Sequence, residues 1–408
     1  MSIILHSQST SINDDILKSA IYFTIDSTFS NEGYIYFDDI FRENHFVILG
    51  EYHGSAKIGQ LTNALIPIYQ KHGGNTFGLE ISPYASKIIN DGLKKQSAEN
   101  FLKDVNTLYE VKSNSRIYTP IPFFSNIEDA LFLQTAKDYN LTIVGLDQEY
   151  IYSYTMLLDE LSQAVSESAD IELITVFKNL QDTLKLYLDY DMDYQNGNRI
   201  KENMLPIRFK ESAFVSQALD QLSNIDNNSK HIIESINLSN EIYYGNATGD
   251  WWNSNRLRTE NFINNYKSLY VKDNMISDEK LFLKIGGLHA ARGINNFYRY
   301  DIGNIIFETS RLLDRQSCHI VVLDRYWLGE DNEVEDVMAD TTSWYATDFS
   351  QFLNAAKPNK WTIIDIKKIR KEGLYKKDVT DSVREYFENY DVVVIPPVDS
   401  NPKLNIRE

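Results

Sequence analysis

The feature that most constrains this chain is a series of short, unbroken apolar runs separated by stretches with helical spacing. The runs are FVILG (46–50), TFGLE (76–80), LTIVGLD (141–147), LFLKIG (281–286), NIIFET (304–309), HIVVLD (319–324), WTIIDI (361–366) and VVVIP (392–396). A strand with one wet face alternates apolar and polar residues, whereas a strand covered on both faces does not. Unbroken β-branched runs therefore predict buried, parallel strands. Apolar positions at helical spacing over 57–71, 84–103, 127–138 and 378–389 supply the covering helices. Strand alternating with helix predicts an α/β fold with a mostly parallel central sheet and flanking helices.

The middle of the chain breaks that rhythm. YTMLLDELSQAV (154–165), ELITVFKNLQDTLKLYLDY (172–190) and RLRTENFINNYKSLY (256–270) are helical patterns with little strand signal between them. The expected layout is a first part of the α/β domain over 1–150, a helical insertion over 151–275, and a second part over 276–408. Tyr243, Tyr244, Trp251 and Trp252 cluster in the insertion. Such rings either pack a helical subdomain or line a substrate cleft.

Charge and cysteine usage narrow the function classes. The formal net charge of -18 repels phosphate backbones and anionic lipid, so nucleic acid and membrane surfaces are not expected partners. Cys318 is the single cysteine, which excludes an intrachain disulfide and a Cys-rich zinc site. Its place in the run CHIVVL predicts a buried thiol. The N-terminal residues show no cationic, apolar leader pattern, and no stretch is long and apolar enough for a membrane span, so a cytoplasmic location is expected.

In open α/β sheets, ligands bind beyond the carboxyl ends of the strands. Glu51, Tyr52 and His53 follow FVILG, Glu80 ends TFGLE, Asp147 ends LTIVGLD, and His289 follows LFLKIG. Residues two apart in an extended chain face the same way, so Glu51 and His53 are expected to share a site. Each histidine closes a Gly-x-x-His turn, from Gly50 to His53 and from Gly286 to His289. Neutral imidazole serves as general base or metal ligand, and a neighbouring carboxylate orients it. Glu51, His53, Glu80 and His289 suit a divalent metal (Mn, Co or Zn) with an open position; the same residues without metal can deprotonate water. Glu80 ends a predicted central strand, where an unpaired carboxylate is costly. Asp147 either takes part in substrate binding or caps a turn. Tyr52 lies between the two residues of the first pair and is a candidate substrate contact.

Other patterns carry no chemistry. DYDMD (189–193) opens like a calcium loop, but Tyr194 and Ile200 stand where glycine and glutamate are needed, so it reads as a polar helix end. No Gly-x-Ser-x-Gly elbow, phosphate-binding Gly-Lys-Ser/Thr loop or His-Glu-x-x-His helix is present. KKIRKEGLYKK (367–377) reads as a solvated helix face and GEDNEVEDVMAD (329–340) as a solvated loop. His6, His45, His72, His231 and His319 are expected to be structural or surface residues.

LGEYHG (49–54), FGLE (77–80), GLD (145–147) and IGGLH (285–289), in that order, resemble the superfamily of erythromycin esterase-like, TraB/TIKI and ChaN-like proteins. The resemblance runs through roughly the first 300 residues as scattered motifs. It implies catalytic roles for Glu51, His53, Glu80 and His289. Arg258, Phe262 and Asn265 resemble a family helix carrying Arg-x-x-x-Met-x-x-Asn, with Phe262 in place of Met. By that likeness Arg258 would stabilise developing oxyanion charge. The single residue between Glu51 and His53 resembles the ChaN and TIKI branch more than the macrolide esterases. The implied function is hydrolysis of an ester, lactone or amide in a small-molecule or peptide substrate. The alternatives are a metal- or haem-binding protein without turnover, with Tyr52 or a histidine on the haem iron, and a toxin or effector domain on the same scaffold.

Overall fold

The computed structural model describes residues 12–26, 29, 31–114, 116–272, 275, 276, 278–296, 298–329, 331–372 and 379–405. The fold is α/β: a mixed, mostly parallel sheet of eight strands with flanking helices. The strands are β1 (Ala20–Phe23), β2 (Phe46–Glu51), β3 (Thr76–Leu79), β4 (Thr142–Gly145), β5 (Leu281–Gly286), β6 (Ser317–Val322), β7 (Trp361–Asp365) and β8 (Val392–Ile395). The chain divides into two compact units, one running to Thr76 and resuming over Glu279–Pro402, the other Phe77–Asp278 with the stretch from Lys403.

In the first unit the strand order is β1-β7-β8-β6-β2-β5. Strands β8, β6, β2 and β5 are mutually parallel, and β1 and β7 run antiparallel at one side. Every residue of β2, β5 and β8 is buried, which accounts for runs without alternation. Because β2 and β5 are adjacent and parallel, with Glu51 opposite Gly286, their carboxyl ends leave the sheet at the same edge. The short β1 carried no clear sequence signal; it is anchored by stacking of Phe23 on Trp361, with ring centroids 5.9 Å apart.

One run expected to be a strand is a helix. NIIFET lies inside the helix Ile302–Leu312, whose buried residues are Ile302, Gly303, Ile306 and Ser310. That spacing of three and four places one face inward, and Asp301 caps the start by accepting from the Ile302 backbone N–H. A short apolar run does not by itself separate strand from buried helix. The expected helix over 84–103 is two, Pro83–Lys95 and Ala98–Tyr109, each started by a serine cap. Part of the basic run 367–377 lies outside the described residues, as does His6.

The second unit holds β3, β4 and the helical segment 171–270. Its helices are Ile171–Gln195, Leu205–Glu211, Ala213–Ser223, Asn227–Thr248 and Trp251–Tyr270. They close on a core that includes Leu161, Leu180, Leu184, Leu222 and Ile236. Fully burying one such side chain is worth about 1.5–3 kcal/mol, enough in sum to order helices with modest propensity. DYDMD is more than a polar helix end: Asp191 is buried, and accepts the Tyr152 hydroxyl at 2.6 Å and the Leu205 backbone N–H at 2.9 Å. Trp251 and Trp252 are exposed. Among the described residues no helix is long and apolar enough to cross a membrane.

Candidate active site

The first unit brings both Gly-x-x-His turns together. Gly50 ends the unbroken part of β2 against the second turn. A Cβ there would lie 2.9 Å from Ala290 Cβ, 3.0 Å from Gly287 Cα and 3.1 Å from the Ile320 carbonyl oxygen. Glycine at this position is what lets the two turns touch backbone to backbone. Gly54, with φ +84°, then reverses the chain into the helix Ala56–Lys71.

Glu51 and His53 face each other, as their spacing predicts: His53 Nδ1 lies 3.2 Å from Glu51 Oε1. Glu51 is buried, while the His53 side chain is two-fifths exposed. The same carboxylate oxygen receives Lys284 Nζ at 2.6 Å. Burial opposes ionisation of Glu51, but the charge of Lys284 and the bond from His53 outweigh it, and the carboxyl sits at about 2. An ionised Glu51 requires His53 Nδ1 to carry the proton between them, which makes Nε2 the basic nitrogen.

His289 is buried on the short turn Gly287–Ala290, and its Nδ1 lies 2.8 Å from Asp301 Oδ2. Asn295 Nδ2 donates to the same oxygen at 3.1 Å. The ring is thus oriented by a carboxylate that is itself hydrogen-bonded. Beneath this turn His319 Nδ1 donates to the Ala290 carbonyl at 2.7 Å, and burial pulls its imidazole down to about 4. It is neutral and structural, as expected.

Tyr52 does not point its hydroxyl at the pair. It donates to Asp399 Oδ2 at 2.7 Å, and the same Asp399 accepts from Ser55 Oγ and from the Lys57 backbone N–H. Burial and Asp399 push the phenol well above its ordinary range, which disfavours the phenolate that haem iron would require.

The second unit assembles the other three residues. Arg258, on the helix Trp251–Tyr270, donates to both Asp147 oxygens, from Nε at 3.1 Å and from an Nη2 at 2.6 Å, and from Nη2 to Glu80 Oε1 at 2.7 Å. One guanidinium therefore bridges two buried strand-end carboxylates. Phe262 packs beneath Arg258, with its ring centroid 5.5 Å from the guanidinium carbon. Asn265 Nδ2 donates to the Leu146 carbonyl at 3.0 Å. Arg258, Phe262 and Asn265 are four and then three residues apart, so one helix face clamps the end of β4. Beside them lies a cavity of about 320 Å³ lined by Tyr118, Phe123, Tyr150, Tyr243, Asp147 and Arg258. Of the aromatics singled out above, Tyr243 is in its wall.

The donors expected for a metal do not fit one. Among the described residues no group of three or more His, Cys, Asp or Glu is placed to hold an ion. Glu51 is engaged by the Lys284 ammonium, and a divalent cation at that oxygen would sit against a fixed positive charge. Glu80 is committed to Arg258.

Sequence reasoning missed four functional neighbours. Lys284 carried a signal, being a cation inside the apolar run LFLKIG. Asp399 is distant in sequence from Tyr52, and Asp301, twelve residues beyond His289, belongs to no motif that marks it. Glu149 lies two residues beyond Asp147 and is fully buried. It accepts from Ser82 Oγ at 2.5 Å and Ser235 Oγ at 3.0 Å, and burial pushes it up to about 7.

No family profile and no curated protein matches this sequence. Solved structures do match over nearly the whole chain. A succinoglycan biosynthesis protein is 15% identical with a TM-score of 0.55, covering 97% of this chain and 99% of that one. A Bacillus cereus protein is 13% identical with a TM-score of 0.56, covering 96% and 98%. A histidine-to-asparagine mutant of the erythromycin esterase EreC, in its open conformation, is 14% identical with a TM-score of 0.54, covering 96% and 98%. The chain has the erythromycin esterase-like fold.

Proposed function

We propose that this protein is a hydrolase acting on an ester, lactone or amide bond, with His53 as general base. The observation that carries the proposal is the Glu51–His53 pair: an ionised, lysine-backed carboxylate on Nδ1 of a solvent-reachable imidazole at a strand end. The fold shared with an erythromycin esterase supports the reaction class. In this reading His53 Nε2 removes a proton from water as the water oxygen bonds to the carbonyl carbon. The carbonyl π electrons move to oxygen, forming a tetrahedral intermediate. When that intermediate collapses, the bond to the leaving group breaks and the imidazolium returns its proton to the leaving oxygen or nitrogen. His289, oriented by Asp301, is the second imidazole and donates a hydrogen bond to the substrate oxygen. In the second unit, Asp147 and Glu80 hold Arg258, and Asp147 and Arg258 line the aromatic cavity.

The test is hydrolysis of p-nitrophenyl esters, lactones and short peptides by the purified protein and by His53→Ala and His289→Ala. The expected loss in kcat for His53→Ala is about 100- to 10,000-fold, the range of a lost general base. Activity that survives both substitutions at the wild-type rate sinks the proposal.

A further inference from the structure

The turn that presents His53 is anchored from outside itself. Packing alone does not hold its tip: His53 and Gly54 are exposed, and a Cβ at Gly54 would meet nothing within 4 Å. Hydrogen bonds from both sides of the tip converge instead on Asp399, which is fully buried. Before His53, the Tyr52 hydroxyl donates to Asp399 Oδ2 at 2.7 Å. After it, Ser55 Oγ donates to the same oxygen, and the Lys57 backbone N–H donates to Oδ1 at 3.0 Å. The Ser400 backbone N–H is a further donor to Oδ1, at 2.7 Å. A carboxylate only accepts, so one buried group takes donors from both limbs of the turn at once. The Ser400 carbonyl adds a main-chain bond from the Ala56 N–H at 3.1 Å.

Asp399 stands on a firm support. It follows β8, at the carboxyl edge of the parallel strands where β2 delivers Glu51. Its N–H donates to the Tyr326 carbonyl at 2.9 Å, and its carbonyl accepts the Leu328 N–H at 2.8 Å. The segment after β8 is thus paired with the strand Tyr326–Leu328, while its side chain holds the turn after β2. What this anchoring sets is the direction of the imidazole. The contact of His53 Nδ1 with Glu51 Oε1 is 3.2 Å, near the long end of a hydrogen bond, so a small swing of the turn breaks it. A misplacement of about 1 Å can cost about 100-fold in rate.

We propose that Asp399 is a positioning residue for His53: by holding Tyr52, Ser55 and Lys57 it sets the turn so that Nδ1 stays on Glu51 and Nε2 remains the basic nitrogen. The catalytic consequence rests on the hydrolytic reading, whereas the positioning does not.

The experiment therefore has two readouts, taken on the wild type, Asp399→Ala and Tyr52→Phe. The first is the tautomer of His53, read from the ring 15N shifts of the full chain labelled at histidine, at pH 9, with His53→Ala assigning the signals. The wild type is expected to be mainly the Nδ1–H form, because the hydrogen bond at one ring nitrogen fixes which one carries the proton. Asp399→Ala is expected to lower the Nδ1–H fraction at least about twofold, and Tyr52→Phe to shift it part of the way. The second readout is ester hydrolysis. Asp399→Ala is expected to lower kcat about 100-fold and Tyr52→Phe about tenfold, with KM within about threefold. Folded variants that keep the wild-type tautomer overturn the proposal whatever their rates, as does a wild type that is not mainly Nδ1–H. A tautomer shift in a chain without hydrolysis, or with kcat unchanged, upholds the positioning and sinks the hydrolytic reading instead. Circular dichroism checks that each variant is folded. Should Asp399→Ala not fold, the Tyr52→Phe result decides.

Discussion

Lys284→Met removes the charge that holds Glu51 while keeping a long apolar stem in β5. In the native protein Lys284 Nζ and Glu51 Oε1 are 2.6 Å apart, with side chains only 7% and 6% exposed. Removing one partner of a buried pair leaves the other charge unpaired, at a cost of about 3–5 kcal/mol. Glu51 supplies a second scale: a carboxyl lowered from 4.5 to about 2 is stabilised in its charged form by about 3 kcal/mol. The native contribution is present above pH 4.5 and lost as pH falls through about 2. In the variant the burial remains and the main opposing charge is gone, so the Glu51 carboxyl moves above 4.5. The folded variant then binds a proton that its unfolded chain lacks, and its stability falls as pH rises from about 4.5. Urea unfolding at pH 4.5 and pH 7.5 reads the effect. The deficit against wild type is expected to be about 3 kcal/mol already at pH 4.5, where the native contribution is largely present, and to grow further by pH 7.5. A deficit below about 1 kcal/mol at pH 7.5, or one of equal size at both pH values, refutes the reasoning. Hydrolysis should fall with it, because an uncharged Glu51 no longer holds the proton on His53 Nδ1.

Three further perturbations follow from the same geometry. Gly50→Ala drives a methyl into Ala290 and Gly287 and is expected to cost about 1–3 kcal/mol in thermal unfolding; a change within about 0.5 kcal/mol contradicts the close approach. Glu149, held at about 7 when folded, makes stability fall by about 3 kcal/mol as pH rises from 4.5 to 7. Buried His319, held near 4, opposes that slope, since its contribution is lost as pH falls from 6.5 towards 4. The difference between wild type and Glu149→Gln therefore isolates the carboxyl, and a difference that does not vary between pH 5 and pH 7.5 rejects it. Asp301→Asn keeps a helix cap but removes the charge on His289, so kcat should fall by about 100-fold or more with KM little changed. An unchanged kcat and pH profile would leave Asp301 a purely structural cap.

Several residues of the candidate site were legible because strand ends in an α/β sheet are a short menu. Glu51 and His53 were paired by a period of two, whereas Arg258, Phe262 and Asn265 stood out only by their resemblance to a family helix. The charge state of the pair was not legible, because it depends on Lys284, which belongs to a strand more than 200 residues away in sequence and adjacent in the sheet. The surroundings of the expected metal donors were hidden for the same reason: ligand types can be counted along a chain, but whether a carboxylate already meets a cation cannot. Arg258 was read as a cation available to a substrate, whereas it spends its donors on Asp147 and Glu80. NIIFET was misread because three adjacent apolar residues suit a strand and a half-buried helix equally, and a capping Asp301 decides between them.

By itself the sequence determined the α/β class, the buried central strands, the helical middle and the strand ends that carry the polar residues. Those follow from local periodicity and from the cost of exposing apolar side chains, which each segment expresses alone. The tertiary structure alone decided which carboxylate meets which cation and why Gly50 admits no side chain. Electrostatics and close packing act between segments far apart in sequence, so only the folded chain sets their strength and their sign.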